Sequence, residues 1–231
     1  MKAVLCKSHG KPETLVIEET ASPAPGKGEV IITVKACGLN FPDTLIIEGK
    51  YQFKPEMPFS PGGEVAGIVK EVGEDVSHLK VGDKVMSGTG WGGFAEEVKA
   101  MASNVFPIPP KMDFVTAASS MMTYGTSYHA LVNRAELKAG ETLLVLGAAG
   151  GVGTAAIQIA KNIGATVIAA ASSDEKLAYC KSIGADFTIN YSKEDLKERG
   201  KELTNGKGID VIYDPVGDKY TEPALRTIAW K

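Results

Sequence analysis

Between residues 142 and 163 an apolar segment runs straight into a glycine turn and then into a helix-periodic stretch, and few folds accept that order. Leu143–Val145 is a continuous apolar run, the character of a strand buried on both faces. It leads directly into Gly147-Ala148-Ala149-Gly150-Gly151-Val152-Gly153. Beyond the turn, Val152, Ala155, Ala156, Ile159, Ala160 and Ile163 recur at i, i+3, i+4, i+7, i+8 and i+11, which is one face of a helix. A glycine turn between such a strand and a helix leaves free backbone N–H groups at the positive end of the helix dipole, where a pyrophosphate can be held. Gly150 would let the backbone approach that anion, and Gly153 would let helix and strand pack closely. Ala148 stands where the first glycine of GxGxxG usually lies. The flanking strand and helix nevertheless favour a dinucleotide loop over a purely structural turn.

The rest of the chain falls into two parts. Up to about Pro110, short β-branched runs such as Val30–Val34, Val65–Val72 and Lys84–Met86 are separated by Gly and Pro, which predicts a β-rich unit with irregular loops. Asn104–Pro110 has too many prolines for a helix or a central strand and reads as a connector. From Asp113 to Arg134 the pattern is helical, with a break expected around Tyr124–Gly125. Strands are then expected at Thr142–Leu146, Thr166–Ala171, Phe187–Asn190 and Ile209–Asp214, with helices between them. Strand–helix alternation at this spacing implies a parallel sheet with crossover helices, hence an α/β fold. With 231 residues, 44% hydrophobic, the chain can build one or two cores. A net charge of −3 argues against general nucleic-acid binding. The three cysteines, Cys6, Cys37 and Cys180, are too scattered for a disulfide framework. No apolar run approaches the roughly 20 residues that span a bilayer, and the start MKAVLCKSHG lacks a targeting pattern, so the cytoplasm is the expected compartment.

The residues at the end of the second strand of the parallel sheet speak to the choice of dinucleotide. NAD-binding proteins tend to place an acidic residue there, on the ribose hydroxyls. This chain has Ala171-Ser172-Ser173, followed by Lys176. Neutral hydroxyls and a cation suit a 2′-phosphate, which favours NADPH. Asp174 argues the other way, and Ser173 also fits the N-cap of a helix starting at Asp174.

Several motifs, in order and spacing, resemble the quinone oxidoreductase (zeta-crystallin-like) branch of the zinc-independent medium-chain dehydrogenase/reductase superfamily. They are Gly38-Leu39-Asn40-Phe41-Pro42-Asp43, Tyr51-Gln52-Phe53-Lys54-Pro55, Pro58-Phe59-Ser60-Pro61-Gly62-Gly63-Glu64-Val65-Ala66-Gly67, Thr123-Tyr124-Gly125-Thr126-Ser127-Tyr128, the glycine loop and Asp214-Pro215-Val216-Gly217. The resemblance implies a GroES-like β-rich substrate domain over residues 1–122 and a Rossmann dinucleotide-binding domain over 123–231, with the active site in the cleft between them and a homodimeric assembly. It also implies that Asn40 and Thr126 approach the nicotinamide, that Tyr51 lines the cleft, that Val216 lies near the nicotinamide through its backbone, and that Lys176 and Tyr191 meet the 2′-phosphate. The Ala149, Gly150, Gly151, Val152 and Gly153 loop would hold the pyrophosphate beside Ser172 and Ser173.

The zinc-dependent alcohol dehydrogenases of the superfamily resemble this chain as well. Their catalytic zinc needs a thiolate where Asn40 stands, an imidazole at Gly63 and a further thiolate near Met122. An amide, a hydrogen and a thioether do not make a site for a cation that prefers Cys and His, so no metal is expected. What remains is hydride transfer from NADPH to an acceptor activated by conjugation, a quinone or an α,β-unsaturated carbonyl. Related enoyl-thioester reductases use a tyrosine in a Tyr-x-x-x-Pro setting as proton donor, which makes Tyr51 the candidate general acid or, with solvent as proton source, a residue that only orients substrate. An enoyl-thioester reductase and a non-enzymatic cofactor-binding relative stay open beside the reductase reading.

The remaining chemistry-bearing residues read as structural. His9, His78 and His129 lie in turn-like or helical surroundings, Cys37 reads as a small buried hydrophobe, and Met121-Met122 as core or pocket lining. Lys193–Lys201 reads as a solvated helix face. Relatives by resemblance continue past the position of Trp230-Lys231 with further Rossmann strands, so the expectation is a shortened enzyme with an intact cofactor loop, an incomplete cleft and an incomplete dimer interface.

Overall fold

The computed structural model describes residues 1–230. The chain divides into two compact units, Met1–Met122 and Thr123 onward.

The first unit is built on strands. β1 (Lys2–Leu5) and β2 (Val16–Glu19) form a two-stranded antiparallel ribbon. β3 (Glu29–Gly38), the short helix α1 (Phe41–Ile47), β4 (Glu64–Val72), β5 (Lys84–Gly88), β6 (Glu97–Met101) and β7 (Val105–Pro107) follow. Five of these strands make an antiparallel sheet in the order β6-β3-β4-β5-β7. Its core gathers Val30, Ile32, Val65, Val69, Val85, Val98 and Val105, the β-branched residues whose alternation puts them on one face. The expected connector at Asn104–Pro110 proves to begin with an edge strand. Val105–Pro107 pairs with β5, and proline is tolerated there because one side of an edge strand needs no donors.

β4 crosses β3 at a backbone contact tight enough to exclude a side chain. A Cβ on Gly67 would lie 2.1 Å from the carbonyl oxygen of Thr33. The register between the strands shifts nearby, between Val34 and Ala36.

Helical structure resumes with α2 (Phe114–Ala117), capped by Asp113, whose carboxylate accepts from the N–H of Thr116 at 2.7 Å. α3 (Met121–Tyr128) runs through Tyr124–Gly125, where a break was expected, and the interruption falls instead between Ala117 and Met121. The Ser119 and Ser120 hydroxyls donate there to carbonyls of the preceding turn, which ends that helix, while Gly125 has open space around it.

The second unit is a parallel sheet covered on both faces. β8 (Thr142–Leu146), α4 (Gly151–Ile163), β9 (Thr166–Ala171), α5 (Asp174–Ser182), β10 (Phe187–Asn190), α6 (Leu196–Leu203), β11 (Val211–Tyr213) and α7 (Thr221–Leu225) alternate in sequence. The sheet order is β10-β9-β8-β11, with every pairing parallel. The period of two sends Leu143, Val145, Val167 and Ala169 to one face, against Ala156, Ile157 and Ala160 of α4. Leu144, Leu146, Ile168 and Ala170 go to the other, with Leu196 and Ala224. This is the first half of a doubly wound Rossmann sheet with the first strand of the second half, and the strand order reverses between β8 and β11. The fourth expected strand is shorter than Ile209–Asp214, because Ile209 leaves the ladder for a bridge to Ile228. No helix among the described residues is long and apolar enough to cross a membrane.

Gly67→Ala should lower stability by roughly 1–3 kcal/mol, because backbone on the opposite strand cannot retreat from the added methyl. Gly88→Ala, with nothing within 4 Å of the new carbon, should change stability by less than about 0.5 kcal/mol. Urea melts of the two variants check this, and equal effects would refute the packing argument.

Candidate functional site

The glycine loop leaves β8 at Leu146 and turns at Gly147, whose φ of +59° is in the left-handed region. The N–H of Gly150 donates to the Gly147 carbonyl at 2.9 Å, and Gly150 becomes the N-cap of α4. No side chain caps this N-terminus, so the N–H groups of the first turn are left for an anion. Gly153 is buried where α4 meets the turn, and a Cβ there would lie 2.6 Å from the Gly147 carbonyl oxygen. Val216, beyond β11, closes the other side of the crevice at the strand-order reversal: a Cβ on Gly147 would lie 2.7 Å from Val216 Cγ2. Behind the loop, the Ser127 hydroxyl of α3 donates to the Val152 carbonyl at 2.8 Å.

At the end of β9, Ser173 caps α5, its hydroxyl accepting from the N–H of Lys176 at 3.4 Å. Ser172 is exposed beside it, and Lys176 Nζ donates to the Ser172 hydroxyl at 3.2 Å. Tyr191 stacks against Tyr220 with ring centroids 4.3 Å apart. Burial and Tyr220 push the Tyr191 phenol up, while its hydrogen bond with Ser172 works the other way. Ser172, Lys176 and Tyr191 therefore form one hydrogen-bonded cluster. Asp174, the residue that argued against a 2′-phosphate, is engaged elsewhere. Its carboxylate accepts from Asn190 Nδ2 and Lys193 Nζ, each at 2.6 Å, and Lys193 holds it below the usual carboxylate range.

A separate cavity of about 170 Å³ lies within the first unit, lined by Asn40, Pro42, Tyr51, Phe53, Trp91 and Met122 among others. Tyr51 and Phe53 tilt against each other with centroids 6.0 Å apart. Asn40 is the N-cap of α1 and shares a capping box with Asp43, whose Oδ2 accepts from the Asn40 N–H at 2.8 Å. Asp43 Oδ1 accepts from the Gly62 N–H at 3.2 Å. Burial pushes the Asp43 carboxyl up, and the backbone N–H groups of Asn40, Gly62 and Gly63 oppose that shift. Behind them Cys37 is pushed up to about 12 by burial, reinforced by Asp43.

The sequence-derived candidates thus separate into three groups. Ala149–Gly153 and Val216 surround the glycine crevice, Ser172, Lys176 and Tyr191 cluster at the end of β9, and Asn40 and Tyr51 share the cavity. Ser173 serves as a cap, and Thr126 is exposed on α3. The three positions weighed for zinc, Asn40, Gly63 and Met122, line the same cavity and carry an amide, a bare backbone and a thioether. Among the described residues, no three or more His, Cys, Asp and Glu gather to hold a metal ion. His9 pairs with the Ile47 carbonyl and His78 with the Ala102 carbonyl, both scaffold contacts. Sequence reasoning missed the roles of Asp43, Asn190 and Lys193. Only Asp43 had a local signal, the N-cap-to-N3 spacing from Asn40 that marks a capping box.

These features, an antiparallel β-rich unit followed by a Rossmann sheet with a glycine crevice, are those of a class of dehydrogenases and reductases. Residues 26–110 match the alcohol dehydrogenase GroES-like domain, and residues 151–230 match the zinc-binding dehydrogenase family. A quinone oxidoreductase-like protein 2 homolog from Nematostella vectensis is 42% identical over 231 residues, covering 99% of this chain and 63% of that protein. A probable oxidoreductase from Mycobacterium abscessus superposes with a TM-score of 0.91 at 44% identity, covering 99% of this chain and 72% of that one. Escherichia coli quinone oxidoreductase, solved in complex with NADPH, superposes with a TM-score of 0.93 at 36% identity, covering 99% and 70%. The chain belongs to the quinone oxidoreductase branch of the medium-chain dehydrogenase/reductase superfamily. It spans just under two thirds of the length of the first curated relatives it matches, 63% and 66%.

With its thiol pushed up to about 12, Cys37 stays protonated through the neutral range and is a poor nucleophile. Alkylation of Cys37 by iodoacetamide should remain slow up to pH 9 in the native protein and become fast in urea. Rapid native labelling at pH 8, read by peptide mass spectrometry, would contradict the burial argument.

Proposed function

We propose that this chain carries the cofactor- and acceptor-binding residues of an NADPH-dependent reductase of quinones or α,β-unsaturated carbonyls. The observation that carries the reading is the cluster of Ser172, Lys176 and Tyr191 beside the glycine crevice, with Asp174 tied to Asn190 and Lys193. An unengaged Asp174 would favour ribose hydroxyls and repel a phosphate; with Asp174 engaged, the charge hydrogen-bonded to Ser172 is the positive one of Lys176.

The residues fit the dinucleotide. The uncapped first turn of α4 would take the pyrophosphate, with Gly150 allowing the backbone to approach it, while the missing Cβ at Gly153 seats the helix against the Gly147 turn. Lys176, Ser172 and Tyr191 would hold the 2′-phosphate, while Asn40, Thr126 and Val216 are the proposed neighbours of the nicotinamide. NADPH, when bound, would supply the hydride. Phe53, Trp91 and Met122 provide the apolar walls of the cavity, which exclude water from a conjugated acceptor. Tyr51 lines the same cavity, and its hydroxyl would donate a hydrogen bond to an acceptor carbonyl or deliver a proton to it.

Lys176→Ala should weaken NADPH binding about tenfold or more, through loss of a charge-assisted hydrogen bond of roughly 1.5–3 kcal/mol, and leave NADH nearly unchanged. Titration of both cofactors by fluorescence checks this, and equal losses would remove the 2′-phosphate from the account. Oxidation of NADPH against a panel of quinones, alkenals and enoyl thioesters, with and without chelator, tests the acceptor class. Turnover confined to enoyl thioesters would replace the quinone reading. On the preferred acceptor, Tyr51→Phe should cut turnover with cofactor affinity unchanged if Tyr51 delivers the proton, and should leave the rate intact if it only lines the cavity.

A further inference from the structure

Glu64 is a carboxylate only 1% exposed, and the proposed chemistry does not use it. It opens β4, and each oxygen has a partner. Oε1 accepts from the backbone N–H of Met122 at 3.0 Å, and Oε2 accepts from Asn40 Nδ2 at 3.0 Å. The surroundings are closed: a Cβ on Gly38 would lie 2.9 Å from Glu64 Oε2, 3.3 Å from Asn40 Nδ2 and 2.3 Å from the Ala118 carbonyl oxygen. Gly38 therefore packs its backbone directly against the pair, with no space for a side chain between them.

A side-chain amide has a donor end and an acceptor end, and an ionised carboxylate accepts only. Glu64 therefore captures the donor end of Asn40. The acceptor end, Oδ1, is left for the first turn of α1, where the capping box sets it toward the Asp43 N–H, and Asn40 is one of the residues that line the cavity. A carbonyl oxygen has two lone pairs, so facing the helix N-terminus does not exhaust it.

We propose that Glu64 is a positioning residue that locks the Asn40 amide with Nδ2 inward and Oδ1 outward, so that this wall of the cavity is a hydrogen-bond acceptor. The groups favoured against it are donors: the hydroxyl of a reduced, hydroquinone-type molecule or the NH₂ of a carboxamide. A carbonyl acceptor entering the cavity finds its donor elsewhere, at Tyr51. The selectivity part of this inference rests on reading the cavity as the acceptor pocket; the orientation of Asn40 does not.

Glu64→Gln tests the lock, because it keeps the shape and removes one acceptor. The Met122 N–H is fixed by the backbone and claims the oxygen of the new amide, so the new NH₂ faces Asn40 Nδ2. Two donors cannot pair, and the Asn40 amide turns over to present its own NH₂ to the cavity. Adding Asn40→Asp supplies an acceptor to the new NH₂ and returns an oxygen to the cavity wall.

The probes are hydroquinone, a donor, and 2-cyclohexen-1-one, an acceptor only, with dissociation constants from NMR titration in the absence of cofactor. The preference for hydroquinone over the enone should fall about tenfold in Glu64→Gln, the size of one hydrogen bond lost and left unsatisfied, and return in the double variant. A purely structural Glu64 would weaken both ligands together and would gain nothing from Asn40→Asp; that result overturns the proposal. In the wild-type protein, one Asn40 Nδ2 hydrogen should be shifted downfield and protected from exchange. Free exchange of both would overturn the proposal even if Glu64→Gln fails to fold. If neither probe binds the wild-type protein while the Asn40 signal is protected, the acceptor-pocket reading falls and the lock on Asn40 stands.

Discussion

The second unit depends on one backbone contact, that of α4 against the turn that follows β8. Gly153 brings the helix to within a distance of Gly147 and Ala148 that no Cβ would permit. That approach sets the helix N-terminus over the carboxyl end of the sheet, where the strand order reverses between β8 and β11. The buried faces follow from it. With α4 seated, Ala156, Ile157 and Ala160 meet Leu143, Val145 and Val167, and the alternate residues of the same strands pack on the opposite side. Unpaired N–H groups at the helix start are thereby held at a rigid edge, and only a ligand or solvent can satisfy them.

Polar side chains around the sites are arranged by a similar economy. In the first unit, two buried carboxylates flank Asn40 from different directions, Asp43 on its backbone N–H and Glu64 on its side-chain amide. Neither is left without donors, which is what makes burying them tolerable. Burial, reinforced by the charge of Asp43, keeps Cys37 a thiol and removes it from the chemistry. At the end of β9, charges are sorted instead: Asp174 is drawn to Lys193 and Asn190, and Lys176 to Ser172. Asn190 is buried, and its Oδ1 accepts from the Ser192 N–H at 3.1 Å, which turns its NH₂ toward Asp174.

Much of the fold was legible from residue order. Three of the four parallel strands lie where apolar runs bounded by polar turns put them, because burial on both faces demands such runs. The glycine loop was legible for the same reason, since strand, turn and helix are contiguous. Local competition was harder to read. The interruption of the helical region falls at Ser119 and Ser120, whose hydroxyls capture carbonyls of the preceding turn, and Gly125 proved an ordinary helical residue. Similarly, Val105–Pro107 finds a place as an edge strand only because β5 offers an open side.

The sequence by itself determined the α/β architecture, the glycine loop and the choice of candidate residues, because periodicity and short-range spacing encode them. Tertiary structure alone decided how those residues are used. Asp174 meets Asn190 and Lys193 across 16 and 19 residues, and Asn40 meets Glu64 across 24. Glu64 in turn reaches Met122 across 58. Whether a carboxylate repels a phosphate or is neutralised, and which end of an amide faces a cavity, depends on a partner brought near by the sheet, and hydrogen bonds of about 3 Å leave no trace in residue spacing of that length.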